Sequence, residues 1–93
     1  MKWTPFPSGR WATTMDSYKG HIVLHAWASG AWAITRGNGS VSQADPFVMG
    51  SRDGLSEGRN LHDAMRIAER HGRKFVTDEN PNRSSQNVQD EIF

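Results

Sequence analysis

The sequence contains no cysteine among its 93 residues. This absence excludes disulfide bonds, thiolate metal ligands and cysteine nucleophiles. A small domain in an oxidising compartment usually needs such cross-links, because a short chain buries little surface when it folds. We therefore expect a protein of a reducing compartment, the cytoplasm.

Long apolar runs are absent as well. No segment approaches the roughly 18 consecutive apolar residues that a membrane-spanning helix requires. Residues 1–7 include two prolines and form no apolar run of the length found in signal peptides. The sequence therefore predicts neither a membrane segment nor a secretion signal.

An excess of charge of one sign is also lacking. Eleven Lys and Arg residues stand against ten Asp and Glu residues, for a formal net charge of +1. Bulk charge therefore indicates neither nucleic-acid binding nor nucleic-acid mimicry. The charges are unevenly distributed, however, with basic residues near the end of a predicted helix and acidic residues within 78–93.

The length and the aromatic content indicate one domain with a thin core. Apolar residues make up 35% of the chain and include four tryptophans, each of which can bury roughly 150–250 Å². The predicted fold is α+β, a small antiparallel sheet of three to four strands packed on one α-helix. We expect this domain at 1–77 and a polar tail, docked or disordered, at 78–93.

Alternating apolar and polar residues predict the strands. The clearest strand is 20–28, followed by a two-residue turn at Ser29-Gly30 and a partner strand at 31–36. Further strands are predicted at 10–14, at 40–43 or 46–50 after an Asn-Gly turn within 37–39, and at 74–77.

A single helix is predicted from Leu61 to His71. Asn60 is the expected N-cap with Asp63 three residues later, and Gly72 is placed to end the helix in a left-handed conformation. Apolar residues recur at helical spacing within this segment. The predicted core consists of Ile22, Leu24, Leu61, Met65 and Ala68.

The two tryptophans of the hairpin suggest a binding surface. A two-residue turn places Trp27 opposite Trp32, so that both indoles share one sheet face. The predicted partner-binding residues on that face are Trp27, Trp32, His25, His21 and Arg36. An apolar patch with a polar rim is typical of a binding site. The alternative is that both indoles belong to the core, covered by an N-terminal segment that contains Trp3, Phe6 and Trp11.

The sequence offers little support for catalysis or metal binding. His21 and His25 are four residues apart on a strand, roughly 13 Å, which is too far for one metal ion. His62 and His71 are nine residues apart on the helix. No nucleophile-elbow motif is present, and the glycines at 37–39 are not followed by a phosphate-binding lysine. We therefore expect a protein that is not an enzyme, with no catalytic residues, no metal and no cofactor.

Four basic residues, Arg66, Arg70, Arg73 and Lys74, cluster near the predicted end of the helix. With aromatic side chains on a nearby sheet, they would resemble a surface that binds single-stranded nucleic acid. The alternative is a solvated helix face whose charges favour the negative end of the helix dipole. Nucleic acid is accordingly a second predicted partner class.

The C-terminal residues Asp90-Glu91-Ile92-Phe93 resemble the acidic tips of bacterial single-stranded DNA-binding proteins. Those tips dock a terminal phenylalanine on partner proteins and usually carry a proline before it, which this sequence lacks. The resemblance implies that Ile92 and Phe93 anchor the tail to a partner.

A broader resemblance extends over about two-thirds of the chain. Trp-bearing strands precede an alanine-containing helix, and the segments concerned are Lys2-Trp3, Gly9-Arg10-Trp11, Gly30-Ala31-Trp32 and 61–69. This arrangement resembles that of small accessory proteins of bacteriophages and prophages. Many proteins of that class, anti-CRISPR proteins among them, act by binding host proteins and lack catalytic motifs.

The resemblance implies a non-enzymatic phage-type protein that binds and inhibits a host protein complex, including nucleoprotein defence complexes, in the bacterial cytoplasm. One alternative is a nucleic-acid-binding domain that uses the basic helix end and an aromatic sheet face. A second alternative is a virion or structural protein that self-associates through an exposed hairpin edge, for example as a dimer.

Overall fold

The computed structural model describes residues 2–37, 47–51 and 58–80. Within these ranges, five antiparallel strands form one sheet in the order β1-β2-β3-β4-β5, and a single helix packs on it. The elements are β1 (Thr4–Pro5), β2 (Arg10–Ser17), β3 (Gly20–Trp27), β4 (Trp32–Gly37), β5 (Phe47–Gly50) and α1 (Leu61–Glu79). The predicted α+β class is confirmed, with five strands instead of three to four.

The strand missed by the sequence pattern is β1. It has only two residues, Thr4 and Pro5, which pair with Ala12 and Trp11 of β2. Two residues are too few to show an alternating pattern, and proline cannot donate a hydrogen bond to a ladder. The strand is tolerated because β1 lies at the edge of the sheet.

The β3–β4 hairpin differs from the prediction by one residue in register. The Trp27 N–H donates to the Ala31 carbonyl at 2.9 Å, and the Gly30 N–H donates to the Trp27 carbonyl at 3.0 Å. Gly30 has a φ of +94°. These contacts define a three-residue loop, a turn followed by a left-handed glycine. Ala26, and not Trp27, therefore pairs with Trp32.

Gly30 is required at this loop for a second reason. Its carbonyl accepts a hydrogen bond from the Gly58 N–H at 3.0 Å. A Cβ at position 30 would lie 1.9 Å from the Gly58 carbonyl oxygen. The hairpin loop therefore packs directly against the segment that leads into α1.

The helix is eight residues longer than predicted, because it ends at Glu79 and not at His71. Gly72 is buried inside the helix, where an added Cβ would lie 2.8 Å from a methyl group of Leu24. The glycine thus permits close approach of α1 to β3 and does not end the helix. The strand predicted at 74–77 is wrong, since Phe75 and Val76 continue the apolar side of the helix.

The start of the helix is confirmed. The Asn60 side chain accepts a hydrogen bond from the Asp63 N–H at 3.0 Å, as an N-cap does. Asp63 accepts in turn from the Arg59 N–H at 3.2 Å. The carboxylate thus satisfies a backbone donor one residue before the N-cap.

The core lies between α1 and the sheet face that α1 covers. Ile22, Leu24, Ala64 and Ala68 are fully buried there, and Gly72 lets the helix sit close above them. Leu61 and Met65 are partly buried against this cluster. The predicted core is therefore confirmed. The buried residues of the cluster are Ile22, Leu24, Ala26, Trp32, Ile34, Ala64 and Ala68.

Several predictions fall on residues that the structure does not describe. The alternative strand at 40–43, most of the turn at 37–39, and the tail anchors Ile92 and Phe93 lie outside the described residues. Of the two alternatives for the next strand, 46–50 agrees with β5. Within the described ranges, no helix is long and apolar enough to cross a membrane.

Candidate functional site

The two hairpin tryptophans lie on opposite faces of the sheet. Since Trp32 pairs with Ala26, its side chain shares the helix-covered face with Ala26 and Ile34. Trp32 is only 1% exposed, and its ring stacks on that of His71 at 4.7 Å with an interplanar angle of 6°. The prediction of one face carrying both indoles is wrong, because a one-residue change in register turns every side chain of β4 to the other face.

Arg36 also lies on the helix-covered side. Its guanidinium donates to both carboxylate oxygens of Glu79 and lies 4.9 Å from the centre of the Phe75 ring. The hydrogen bond from Arg36 is the main cause that lowers the pKa of Glu79. Arg36 therefore attaches the last turn of α1 to β4, and does not join Trp27 in one surface.

The opposite face carries a cluster built around Trp27. Arg10 of β2 pairs directly with Trp27 of β3. The Trp27 ring stacks on that of His25 at 6.1 Å with an interplanar angle of 18°. The Arg10 guanidinium lies 4.3 Å from the centre of the Phe6 ring. We call Phe6, Arg10, His25 and Trp27 the aromatic–arginine cluster.

A tight turn holds Phe6 beside Arg10. The Phe6 N–H donates to the Arg10 carbonyl at 2.8 Å, and the Gly9 N–H donates to the Phe6 carbonyl at 3.0 Å. Gly9 has a φ of +90°, which favours glycine. Of the three aromatic residues considered as an N-terminal cover, only Phe6 lies at this cluster. Trp3 packs against the core and donates to Glu69 at 3.2 Å, and Trp11 pairs with Ala26.

His25 is the central polar group of the cluster and is only 7% exposed. Its Nδ1 lies 2.8 Å from Nη1 of Arg10, and its Nε2 lies 3.0 Å from Oγ1 of Thr35. A guanidinium can only donate, so Nδ1 accepts and the ring proton resides on Nε2. Burial, and then the charge of Arg10, lower the pKa of His25 to about 4. His25 is therefore neutral near pH 7.

This tautomer limits what the cluster can do chemically. The Nε2–H of His25 donates to Thr35, so Nε2 has no lone pair with which to remove the hydroxyl proton of Thr35. The arrangement resembles a histidine–hydroxyl pair in distance, but its proton points the wrong way for general-base activation. The geometry suits a rigid, neutral support for Arg10 and Trp27.

His21 lies on the same face as His25 but takes part in a separate contact. Its Nδ1 is 2.9 Å from a carboxylate oxygen of Asp16, at the far end of the β2–β3 hairpin. In the part of the chain that the structure describes, no group of three or more His, Asp or Glu residues could hold a metal ion. The sequence-predicted partner residues thus do not form one surface. Trp27 lies with His25 and His21 lies with Asp16, whereas Trp32 and Arg36 are on the other face, Trp32 against His71 and Arg36 against Glu79.

The predicted basic residues form a stripe along α1. Arg66, Arg70, Arg73 and Lys74 are all exposed, whereas Ala64, Ala68 and Gly72 on the opposite side of the helix are buried. We call these four residues the basic stripe. It faces away from the sheet, so the stripe and Trp27 lie on opposite sides of the molecule. The two do not form the single basic and aromatic surface that the sequence suggested.

The dipole explanation for the basic stripe is also wrong. The helix continues to Glu79, so the stripe lies in the middle of α1, and the last turn has no basic residue. The dipole effect is confined to the first and last turns. The alternatives that remain for these four exposed cations are a solvated helix face and a binding surface.

A cleft adjoins the upstream end of the basic stripe. Its volume is about 370 Å³, and it is lined by Gly58, Arg59, Asp63, Arg66, Ile67 and Arg70. Arg66 donates to Asp63 at 3.1 Å. The hydrogen bond from the Arg59 N–H, followed by the contribution of Arg66, lowers the pKa of Asp63. Sequence reasoning missed Arg59 and Asp63 as members of this site; the helical spacing of Asp63, Arg66 and Arg70 was the available signal.

Comparison with protein-family models, with curated proteins and with solved structures finds no match for this chain.

Proposed function

We propose that this chain is a non-enzymatic binding protein that inhibits a host protein complex by covering a site on it with the aromatic–arginine cluster. The observation that carries the proposal is the cross-strand pair of Arg10 and Trp27, both half-buried on the face away from α1. Trp and Arg are the residue types that contribute most to protein–protein binding.

Rigidity of the cluster supports the same proposal. Arg10 contacts both His25 and the Phe6 ring, and Trp27 stacks on His25. His25 is itself held by Thr35. Side chains that are already ordered lose little conformational entropy when a partner binds. The cluster therefore presents an indole and a cation in a fixed geometry.

The identity of the partner class rests on the resemblance to small bacteriophage accessory proteins. Its basis is the Trp-bearing segments 2–3, 9–11 and 30–32 and the helix segment 61–69. Proteins of that kind, anti-CRISPR proteins included, commonly act by binding and need no catalytic group. An anti-defence role, with a nucleoprotein defence complex as the target, is the specific form that we propose.

A plating experiment tests this function. The chain is expressed in bacterial strains whose CRISPR–Cas systems, one of each type, restrict a matched phage. We expect the wild-type chain to restore plaque formation in at least one strain and Trp27→Ala to abolish that effect. Restriction that persists in every strain would overturn the anti-defence role.

Controls distinguish loss of binding from loss of folding. Trp27→Ala should unfold cooperatively, because Trp27 is outside the core between helix and sheet. Tyr18→Ala is the matched control, since Tyr18 is 60% exposed on the β2–β3 turn; this variant should act like the wild type. Full activity of a folded Trp27→Ala variant would show that the aromatic–arginine cluster is not the binding surface.

A further inference from the structure

The side of α1 that faces solvent is almost entirely basic. Six helix residues are exposed, and four of them carry a positive charge at neutral pH against one negative charge. The exposed residues are His62, Arg66, Arg70, Arg73, Lys74 and Asp78. We propose that the basic stripe, together with Arg59 at the cleft, is a docking surface for the phosphate backbone of a nucleic acid.

The spacing of the cations favours a linear polyanion. Arg66, Arg70 and Lys74 follow one another at intervals of four residues, about 6 Å of helix rise each, on one side of a continuous helix. Arg73 lies beside this row. A nucleic-acid strand presents evenly spaced phosphates along its length. A row of cations along one side of a helix can therefore follow such a strand.

The cleft widens the basic surface at one end of the row and is lined by arginine side chains. Three of the residues that line it are arginines, Arg59, Arg66 and Arg70. A guanidinium can donate two parallel hydrogen bonds to one phosphate, so arginine suits this ligand well. The volume of about 370 Å³ is sufficient for a phosphate and part of its sugar.

The carboxylate of Asp63 is a negative charge within this cleft that already binds one of its arginines. One of its oxygens accepts from Arg66 at 3.1 Å, and the other accepts from the Arg59 N–H at 3.2 Å. A phosphate entering the cleft would compete for Arg66. Asp63 should therefore orient Arg66 in the unbound protein and weaken binding of the anion.

The net charge of +1 is compatible with this surface because the charges are segregated. Cations concentrated on one face create a local positive potential even when the whole chain is nearly neutral. Binding should be independent of sequence and modest, with a dissociation constant of about 10⁻⁴–10⁻⁶ M at physiological salt. The inference does not rest on the proposed function, since the aromatic–arginine cluster lies on the other side of the sheet.

Fluorescence anisotropy with labelled oligonucleotides tests the proposal. The full chain is titrated onto a 30-nucleotide single strand and the corresponding duplex at several salt concentrations between about 50 and 200 mM. The stripe and Arg59 together make five phosphate contacts, which predict a slope of log K against log salt of about −3.5 to −4.5. No anisotropy change at the lowest salt, or a slope near zero, would overturn the proposal.

Substitutions locate the surface. Arg70→Gln should weaken binding to both oligonucleotides and reduce the magnitude of the salt slope by about one. The double variant with Arg66→Gln and Arg70→Gln should reduce the magnitude of the slope by about two. Asp63→Asn keeps an oxygen that can accept from the Arg59 N–H and should tighten binding roughly threefold. Lys19→Gln, at the exposed β2–β3 turn, is the matched control and should bind like the wild type. If Lys19→Gln weakens binding as much as Arg70→Gln does, the assignment to α1 is wrong.

A competition experiment separates nucleic acid from acidic protein. Polyglutamate is added to the preformed complex at the same concentration of negative charge as unlabelled oligonucleotide. We expect the oligonucleotide to displace the labelled strand at a concentration at least tenfold lower. Equal displacement would contradict a phosphate-backbone surface and indicate an acidic protein partner.

Discussion

Folding of this protein should depend on pH through His25. Burial, followed by the charge of Arg10, lowers the pKa of His25 to about 4 in the folded chain, against an ordinary value of 6.5. Below pH 6.5 the unfolded chain binds a proton that the folded chain does not bind. The free energy of unfolding should therefore be highest above pH 6.5 and decrease as the pH falls towards 4.

The size of this effect follows from the two pKa values. Each pH unit over which only the unfolded state is protonated removes about 1.4 kcal/mol. Between pH 7 and pH 5 the loss of unfolding free energy is at most about 2 kcal/mol, since only the roughly 1.5 pH units below 6.5 contribute to it. Residual solvent near the ring reduces the loss further. Stopping at pH 5 keeps the carboxylates of Asp63 and Glu79, whose pKa values are lowered, in their ionised form.

Urea unfolding at pH 7, 6 and 5 measures the effect, with His25→Gln as the test variant. Glutamine can accept from Arg10 and donate to Thr35 but does not titrate. The variant should lose much of the pH dependence and retain the part due to His71, whose pKa is lowered chiefly by burial. His62→Gln, on the exposed side of α1, should behave like the wild type. Identical slopes for the wild type and His25→Gln would refute the buried, neutral His25.

Three substitutions and one control variant, Gly20→Ala, test the packing that positions the two surfaces. Gly72→Ala should lower the free energy of unfolding by about 1 kcal/mol, because the clash with β3 exceeds the gain in helix propensity; an increase measured by urea unfolding would contradict the close helix–strand approach. Gly30→Ala should lower the free energy of unfolding by at least about 2 kcal/mol. Gly20 has a φ of +120° but open space around it, so Gly20→Ala should cost only about 1 kcal/mol. Equal melting temperatures for the two variants would argue against the contact of Gly30 with the segment before α1. Arg36→Gln should cost about 1 kcal/mol and speed amide exchange in the last turn of α1, and unchanged exchange there would mean that the pair with Glu79 does not hold that turn.

The sequence was sufficient to predict those features of the fold that depend on a local pattern of residues. The alternation in β3, the N-cap Asn60 and the apolar residues of α1 each act within a few neighbouring residues. They correctly predicted the α+β class, the start of the helix and a core containing Ile22 and Leu24. Such signals are readable because hydrogen bonding and side-chain periodicity depend on nearby sequence.

The incorrect predictions of the helix end and of the hairpin register came from glycines whose local sequence is compatible with two structures. Glycine ends helices but also allows close packing, and Gly72 packs on Leu24. Ser29-Gly30 can form a two-residue turn or the last part of a three-residue loop, and the structure has the second, with a left-handed glycine at its end. The packing of Gly72 depends on a strand distant in sequence, whereas the glycine of the hairpin loop is a local signal that fits both loop lengths.

The candidate surfaces show the same division. The sequence by itself determined which residue types were available: tryptophans and histidines in a hairpin, and arginines along a helix. Only the tertiary structure decided that Trp32 enters the core while Trp27 joins Arg10, and that Arg59 and Arg70 line the same cleft. The physical reason is that side chains alternate along a strand, so a difference of one residue in register decides which side chains share a face.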